Sequence, residues 1–447
     1  RPSAPVSPTY KEAQGWVQAT PGDTLPRGPW WTMFQDSVLD SLAARVAVSN
    51  QNVAAAIAAY DQARAFVREQ RASLFPVVTL DGGASRARTG TGTRNNFQVS
   101  IGGSWEPDVW GRLRQTVSAA SASAEASAAD LASATLSAQG ELVTDYVNLR
   151  ESDVAMALLR TSIEGYQRSL QITQNRYQQG IIPRTDVLQA QTQLANAQAD
   201  LTDLARQRAQ LEHAIAVLIG EAPGNFGIEP VADWHPIVPD VPIGVPSTLL
   251  ERRPDIASAE RRVAAANEQI GVARTAFFPN FTLNGSGGTG ASRIPELFNA
   301  SSLLWSLGAS AVQTLFDAGA RSARVAESRA AYEQAVARYR ETVLTAFQNV
   351  EDQLAATRVL AEEEAFRREA SQAADLVEAQ VLNRYRAGIV NYTEVVTAQV
   401  TALNARRALA SLAANRQTVA VALIQALGGG WTSDLVASVP VKATANP

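Results

Sequence analysis

The stretch NRYQQGIIPRTDV at Asn175–Val187 returns as NRYRAGIVNYTEV at Asn383–Val395. A repeated segment implies a repeated structural unit, so this echo constrains the fold before any single residue does. SLFPVVTLDGG (Ser73–Gly83) resembles AFFPNFTLNGS (Ala276–Ser286), and DVWGR (Asp108–Arg112) loosely matches DAGAR (Asp317–Arg321). LIG (Leu218–Gly220) falls opposite ALG (Ala426–Gly428), and the four pairs keep their order at offsets of 203 to 209. Independent coincidences would not stay in order. The chain therefore reads as two homologous halves, 36–220 and 247–428, joined by a proline-rich linker, 221–246. A proline-rich extended segment, 1–35, precedes them and a tail, 429–447, follows.

Proline spacing fixes what each half contains. Long stretches between Pro107 and Pro183, and again from Pro295 to the tail, contain none. Such stretches predict very long helices, since proline breaks a helix interior. Each half opens with an amphipathic helix, about 36–75 or 247–276, and continues into two strands, within 76–105 or 278–314. A long alanine-rich helix follows, about 108–179 or 318–387, and then a returning helix, about 184–219 or 392–427. A helix of about 70 residues spans roughly 105 Å. No single globular core holds such an element, so it must lie along other long helices. AASASAEASAADLASA (Ala119–Ala134) leaves a thin helix surface that lets neighbours approach closely. Helices alone would suit a soluble coiled-coil scaffold.

The strands argue otherwise. Phe97, Val99, Ile101, Gly103 and Trp105 alternate with Gln98, Ser100, Gly102 and Ser104. Val78–Ser85, Phe281–Ser286 and Leu303–Ala311 alternate likewise. Such period-two runs suit a half-buried soluble sheet, or strands that cross a bilayer at a tilt. Phe75 and Trp105 sit near segment ends, where interfacial aromatics are expected. Strands in lipid must close into a barrel, and closed single-chain barrels begin at about eight strands. Four strands per chain would then require two, three or four copies. A barrel continued by a helical tube is a conduit.

Composition excludes several alternatives. A net charge of −4 argues against a nucleic-acid partner. There is no cysteine, and neither His213 nor His235 has a histidine four residues on, so no metal site, cofactor or catalytic constellation is expected. No apolar run is long enough for a transmembrane helix. The start at Arg1, without methionine or apolar signal region, fits a mature or trimmed form. Any lipid-bearing cysteine would have to lie before Arg1, where this sequence does not reach.

GVPSTLLERRPDIASAERRVAAANEQIGVARTAFFPNFTL (Gly244–Leu283) resembles the most diagnostic stretch of outer-membrane efflux channels of the TolC/OprM type. PWWTMFQDSVLDSL (Pro29–Leu42), WEPDVWGRLR (Trp105–Arg114) and ALGGGW (Ala426–Trp431) are also similar to that family, most of all to its lipoprotein branch. The resemblance implies an α+β membrane protein: a homotrimer with a twelve-strand β-barrel set in outer-membrane lipid and a twelve-helix periplasmic α-barrel. It implies a passive exit duct of a tripartite multidrug system, with a periplasmic adaptor and an inner-membrane efflux pump as partners. Channels of this type could alternatively serve protein secretion or metal efflux. Within RRPDIASAE, Pro254 suits the first turn of a helix and Asp255 its positive end, which gives Arg252, Arg253 and Asp255 structural roles. Trp30 and Trp31 read as packing anchors.

The echo itself reads as two helix-hairpin turns. Gly180 and Gly388 suit the left-handed residue that ends a helix. Thr185–Asp186 and Thr393–Glu394 are expected to cap the returning helices, with Gln189 completing a capping box for Asp186. By the resemblance, these turns form the periplasmic tip, with Gly180, Thr185 and Gly388 as docking positions for the adaptor. It further implies a gate of Asp186, Tyr385, Tyr392, Thr393 and Glu394, in which Asp186 accepts a hydrogen bond from the Tyr385 hydroxyl. Val390 stands where some members carry arginine, and Thr397 where a second carboxylate often sits, so this lock should be less ionic.

Overall fold

A computed structural model describes residues 29–90, 92–239, 241 and 253–429. Arg252, most of the expected N-terminal segment, the end of the linker and the tail from 430 lie outside them. In chain order the elements are α1 (Ser37–Ser49), α2 (Gln51–Ala72), β1 (Val77–Thr89), β2 (Gly92–Trp105), α3 (Arg112–Gln178) and α4 (Arg184–Leu218). There follow α5 (Pro254–Thr275), β3 (Asn280–Ala291), β4 (Leu303–Val312), α6 (Ala320–Arg386) and α7 (Tyr392–Ala426). Both long helices have 67 residues and both returning helices 35.

The expected first helix is two. Asn50 takes an extended conformation between α1 and α2 because its side chain binds elsewhere. Its Nδ2 donates to the Leu218 carbonyl at 2.8 Å, while its Oδ1 accepts from the backbone of Asn52 and Val53 at 2.9 and 3.1 Å. That oxygen caps α2. Asp36 caps α1 in the same way, accepting from Val38 and Leu39. Pro254 is the first residue of α5 and Asp255 lies in its first turn.

The residues fall into two units. One contains Ile57–Asp130 and Asp255–Thr342, hence the whole sheet. Its strands run in the order β1-β2-β3-β4, every pair antiparallel and without a bulge. The join between the hairpins, β2 to β3, is not evident from either half alone. Register puts Leu80 opposite Ile101, Ile101 opposite Gly287 and Gly287 opposite Trp305. With side chains alternating along each strand, this register gathers all four apolar sets on one face. Polar residues such as Thr79, Ser100, Asn284 and Ser306 gather on the other. The apolar face is bare: Leu80 is 73% exposed, Ile101 59% and Trp305 78%. Gly288 allows β2 and β3 to approach, since a Cβ there would lie 2.6 Å from the Ser100 Cα. Beside the sheet, Ala120 and Ala124 of α3 pack on Val67 of α2. Ser258 and Arg262 both donate to Asp130 at 2.6 Å.

The second unit contains the described part of Pro5–Ala56, Leu131–Pro254 and Val343 onward. Its core joins Ala155, Met156, Leu159 and Tyr166 of α3 to Ala197 and Leu204 of α4 and Leu403 of α7. Trp30 and Trp31 are both 9% exposed, and the Trp30 indole donates to Gln139 at 3.3 Å. Arg253 donates to the Ala426 carbonyl at 2.9 Å, satisfying an orphan group at the end of α7. A buried ionic cluster straps down the linker. Asp153 accepts from Arg150 at 3.1 Å, from Arg208 at 2.6 Å and from the backbone N–H of Val231 at 3.1 Å. Arg150 also donates to the Glu229 carbonyl at 2.7 Å.

Candidate functional site: the hairpin tips

Both repeats of the echo form tight helical hairpins within the second unit. Gly180 has φ +73° and Gly388 φ +77°, the left-handed conformation expected of them. The Gly180 N–H donates to the Tyr177 carbonyl at 2.8 Å and the Ile181 N–H to Arg176 at 2.9 Å. Gly388 and Ile389 bond Tyr385 and Arg384 in the same pattern, at 2.9 Å each. These paired bonds satisfy the last carbonyls of α3 and α6.

The returning helices start differently from expectation. Pro183 occupies the N-cap of α4 and offers no side-chain bond, so Thr185 and Asp186 lie inside the first turn. No capping box forms. At α7 the cap is Asn391, whose Oδ1 accepts from the Glu394 N–H at 3.2 Å. The caps fall earlier than Thr185 and Thr393 because proline's fixed φ and asparagine's short amide end the turn first.

Two aromatic rings form the tip's core. Tyr385 and Tyr392 are 3% and 1% exposed and meet edge to face at 5.4 Å. Ala190 and Val395 complete the cluster. Neither tyrosine hydroxyl makes a hydrogen bond, so the expected bond from Tyr385 to Asp186 is not formed. Burial raises the pKa of both hydroxyls, and the Asp186 carboxylate adds to the rise by charge alone. Arg176 brings a cation to the Tyr385 ring. Its guanidinium lies 4.9 Å from the centre of the Tyr385 ring and donates to the Tyr385 carbonyl at 3.0 Å. It thereby ties the end of α3 to the end of α6.

Two polar pairs link the returning helices. The Thr393 hydroxyl donates to Gln189 at 3.3 Å, and Gln193 donates to Gln399 at 3.2 Å in a buried position. Thr393 and Glu394 are exposed on the rim of a groove of about 510 Å³, lined also by Val377, Val381, Asn391 and Thr397. Among the described residues no group of three or more histidine or acidic side chains could hold a metal ion.

In the sheet-bearing unit, Phe75 is exposed just after α2, and the Trp105 indole donates to the Leu74 carbonyl at 3.0 Å. Sequence reasoning missed the aromatic cluster beside them. Trp110 stacks on Phe278 at 4.8 Å and donates to the Pro279 carbonyl at 2.8 Å. Its signals in the sequence are the repeated FFP/LFP segment and Trp110 within WEPDVWGRLR.

A family model described as outer membrane efflux protein matches residues 42–221 and 245–429. The chain is 30% identical to the antibiotic efflux pump outer membrane protein ArpC of Pseudomonas putida, over 96% of this chain and 91% of that protein. It is 31% identical to the pyoverdine export outer membrane protein OpmQ of Pseudomonas aeruginosa, covering 91% and 88%. The crystal structure of the open state of the Neisseria gonorrhoeae MtrE outer membrane channel superposes with a TM-score of 0.86 at 26% identity, covering 97% of both chains.

Proposed function

Because the chain belongs to the outer membrane efflux protein family, we propose that three copies close into one exit duct, gated at the hairpin tips. The protein is an outer-membrane efflux component with the channel fold of that family. One observation carries the multimeric reading, the number three coming from the family: a sheet with a bare apolar face and two edges, β1 and β4, unpaired among the described residues. Such a sheet is stable in lipid only when its edges are paired. Twelve strands from three chains do this, with the apolar face toward lipid and the polar face lining water.

The duct is passive, fed by an inner-membrane pump through a periplasmic adaptor that docks around Gly180, Thr185 and Gly388. The two repeats, 36–220 and 247–428, each supply one hairpin and one helix pair. Trp105 and Phe75 mark the periplasmic membrane boundary. Asp186, Tyr385, Tyr392, Thr393 and Glu394 form the gate, held shut by the packed tyrosines and the Arg176 tie. Three Glu394 carboxylates around a common axis favour cations over anions at the constriction. Adaptor binding opens the tip by favouring the state in which α6 and α7 part from α3 and α4.

Native mass spectrometry of the full chain in detergent, followed by planar-bilayer recording, tests this. Three copies and discrete channel openings are expected. A monomer that stays in buffer without detergent overturns it.

A further inference from the structure

The first hairpin turns basic at its far end. Between Gly82 and Ser104 it carries Arg86, Arg88 and Arg94 and no acidic residue. The β1–β2 register is one-to-one from Val77↔Ser104 to Thr89↔Gly92, so alternation holds along the whole strand. Arg86 and Arg88 therefore continue the face of Val78, Leu80, Gly82 and Ala84, whereas Arg94, opposite Ala87, belongs to the polar face. Asn95 and Thr93 stand opposite Arg86 and Arg88 and add hydrogen-bonding groups on the same side. Both arginines are exposed, and neither forms an ion pair among the described residues.

Their height on the strand matters. Eight to ten residues separate Val78 from Arg86 and Arg88, which is about 27–34 Å at about 3.4 Å per residue. At a tilt of about 40° this becomes roughly 20–26 Å along the membrane normal, the thickness of the apolar band on a bacterial barrel. Trp105 and Phe75 lie at the other end of the same hairpin. An arginine pair just above the hydrocarbon, on the lipid side, meets the headgroups of the outer leaflet. Guanidinium forks match phosphate geometry, and two of them spaced two residues apart can share one phosphate or hold two.

We propose that Arg86 and Arg88, with Thr93 and Asn95, form a binding site for the phosphate groups of the outer-leaflet glycolipid. The site recurs once per copy around the barrel and anchors its outer rim in the lipid. This inference rests on the barrel reading above. Lipid A and its dephosphorylated form serve as probes on the full-length assembly in detergent, read by native mass spectrometry and by thermal shift. The wild type should retain lipid A and melt higher with it, and the dephosphorylated glycolipid should do neither. Arg86→Gln/Arg88→Gln should lower lipid A retention at least about tenfold, whereas Arg94→Gln, on the opposite face, should leave it unchanged. Equal retention by the double variant, or equal binding of both glycolipids, overturns the site while leaving the channel intact. Failure of the wild type to assemble at all overturns the barrel reading and this site with it.

Discussion

Asp153 shows how a single side chain holds an irregular segment in place. Its side chain is 1% exposed and satisfies Arg150, Arg208 and the linker backbone together. Asp153→Ala leaves the buried Arg150 without a carboxylate, while Arg208 keeps Glu212, and should cost about 3–5 kcal/mol, measured as denaturant unfolding of the detergent-solubilised protein. Asp145 behaves in the opposite sense. Burial, with Glu141 nearby, raises its pKa from 3.8 to about 6. Below about pH 4 both folded and unfolded chains keep its proton and no penalty arises. As pH rises through 6 the folded state must ionise a half-buried carboxyl, and stability is lost. Asp145→Asn should therefore raise the melting temperature at pH 7 more than at pH 5. Neither role is visible from sequence, because the partners of Asp153 lie as far away as Val231 and burial is a property of the packed state. Gly180 and Gly388 were legible, since a left-handed helix end needs no distant partner. The Tyr385–Asp186 bond was not, because the direction in which a buried ring turns its hydroxyl is set by packing against Tyr392, Ala190 and Val395.

At the scale of elements, the two tips are unequal copies. The second has a side-chain cap at Asn391 and the first has none at Pro183. Asn391→Ala should destabilise by about 1 kcal/mol, whereas Thr185→Ala should leave the melting temperature nearly unchanged. Either glycine replaced by alanine forces a non-glycine residue into the left-handed region, at about 1–2 kcal/mol. Differential melting of the four single variants checks the order. The bounds of the long and returning helices were readable to within a few residues because their punctuation is local: Gly180, Pro183 and Gly388 act where they stand, whereas the helix expected from 247 starts at Pro254 among the described residues. Where punctuation depends on a remote group, reading failed. Asn50 looks like any helix residue until the Leu218 carbonyl draws its amide across. Strand existence was readable from alternation, but the pairing of β2 with β3 was not, since nothing in either hairpin names its neighbour.

For the whole molecule, the proposed gate at the tips would rest on ties between hairpins more than on any one hairpin. Arg176 touches Tyr385 through ring and carbonyl, and Tyr385→Phe preserves both contacts. Arg176→Ala should raise single-channel conductance or open probability severalfold, while Tyr385→Phe alone should change little. Equal effects of the two would remove the Arg176 tie from the gate. The duplicated fold was the most legible feature of all, because two ordered copies of a motif leave little choice of architecture.

The β2–β3 junction has a consequence for biogenesis. β3 begins at Asn280, long after β2 ends at Trp105. At synthesis rates of about 5–20 residues per second, the N-terminal hairpin waits roughly 10–35 s before its mate exists. Throughout that interval an oily ribbon with a naked backbone border is adrift in an aqueous compartment. The expected outcome is that chains stopped before residue 280 aggregate through residues 77–105 more than the full chain does, read by sedimentation of the two.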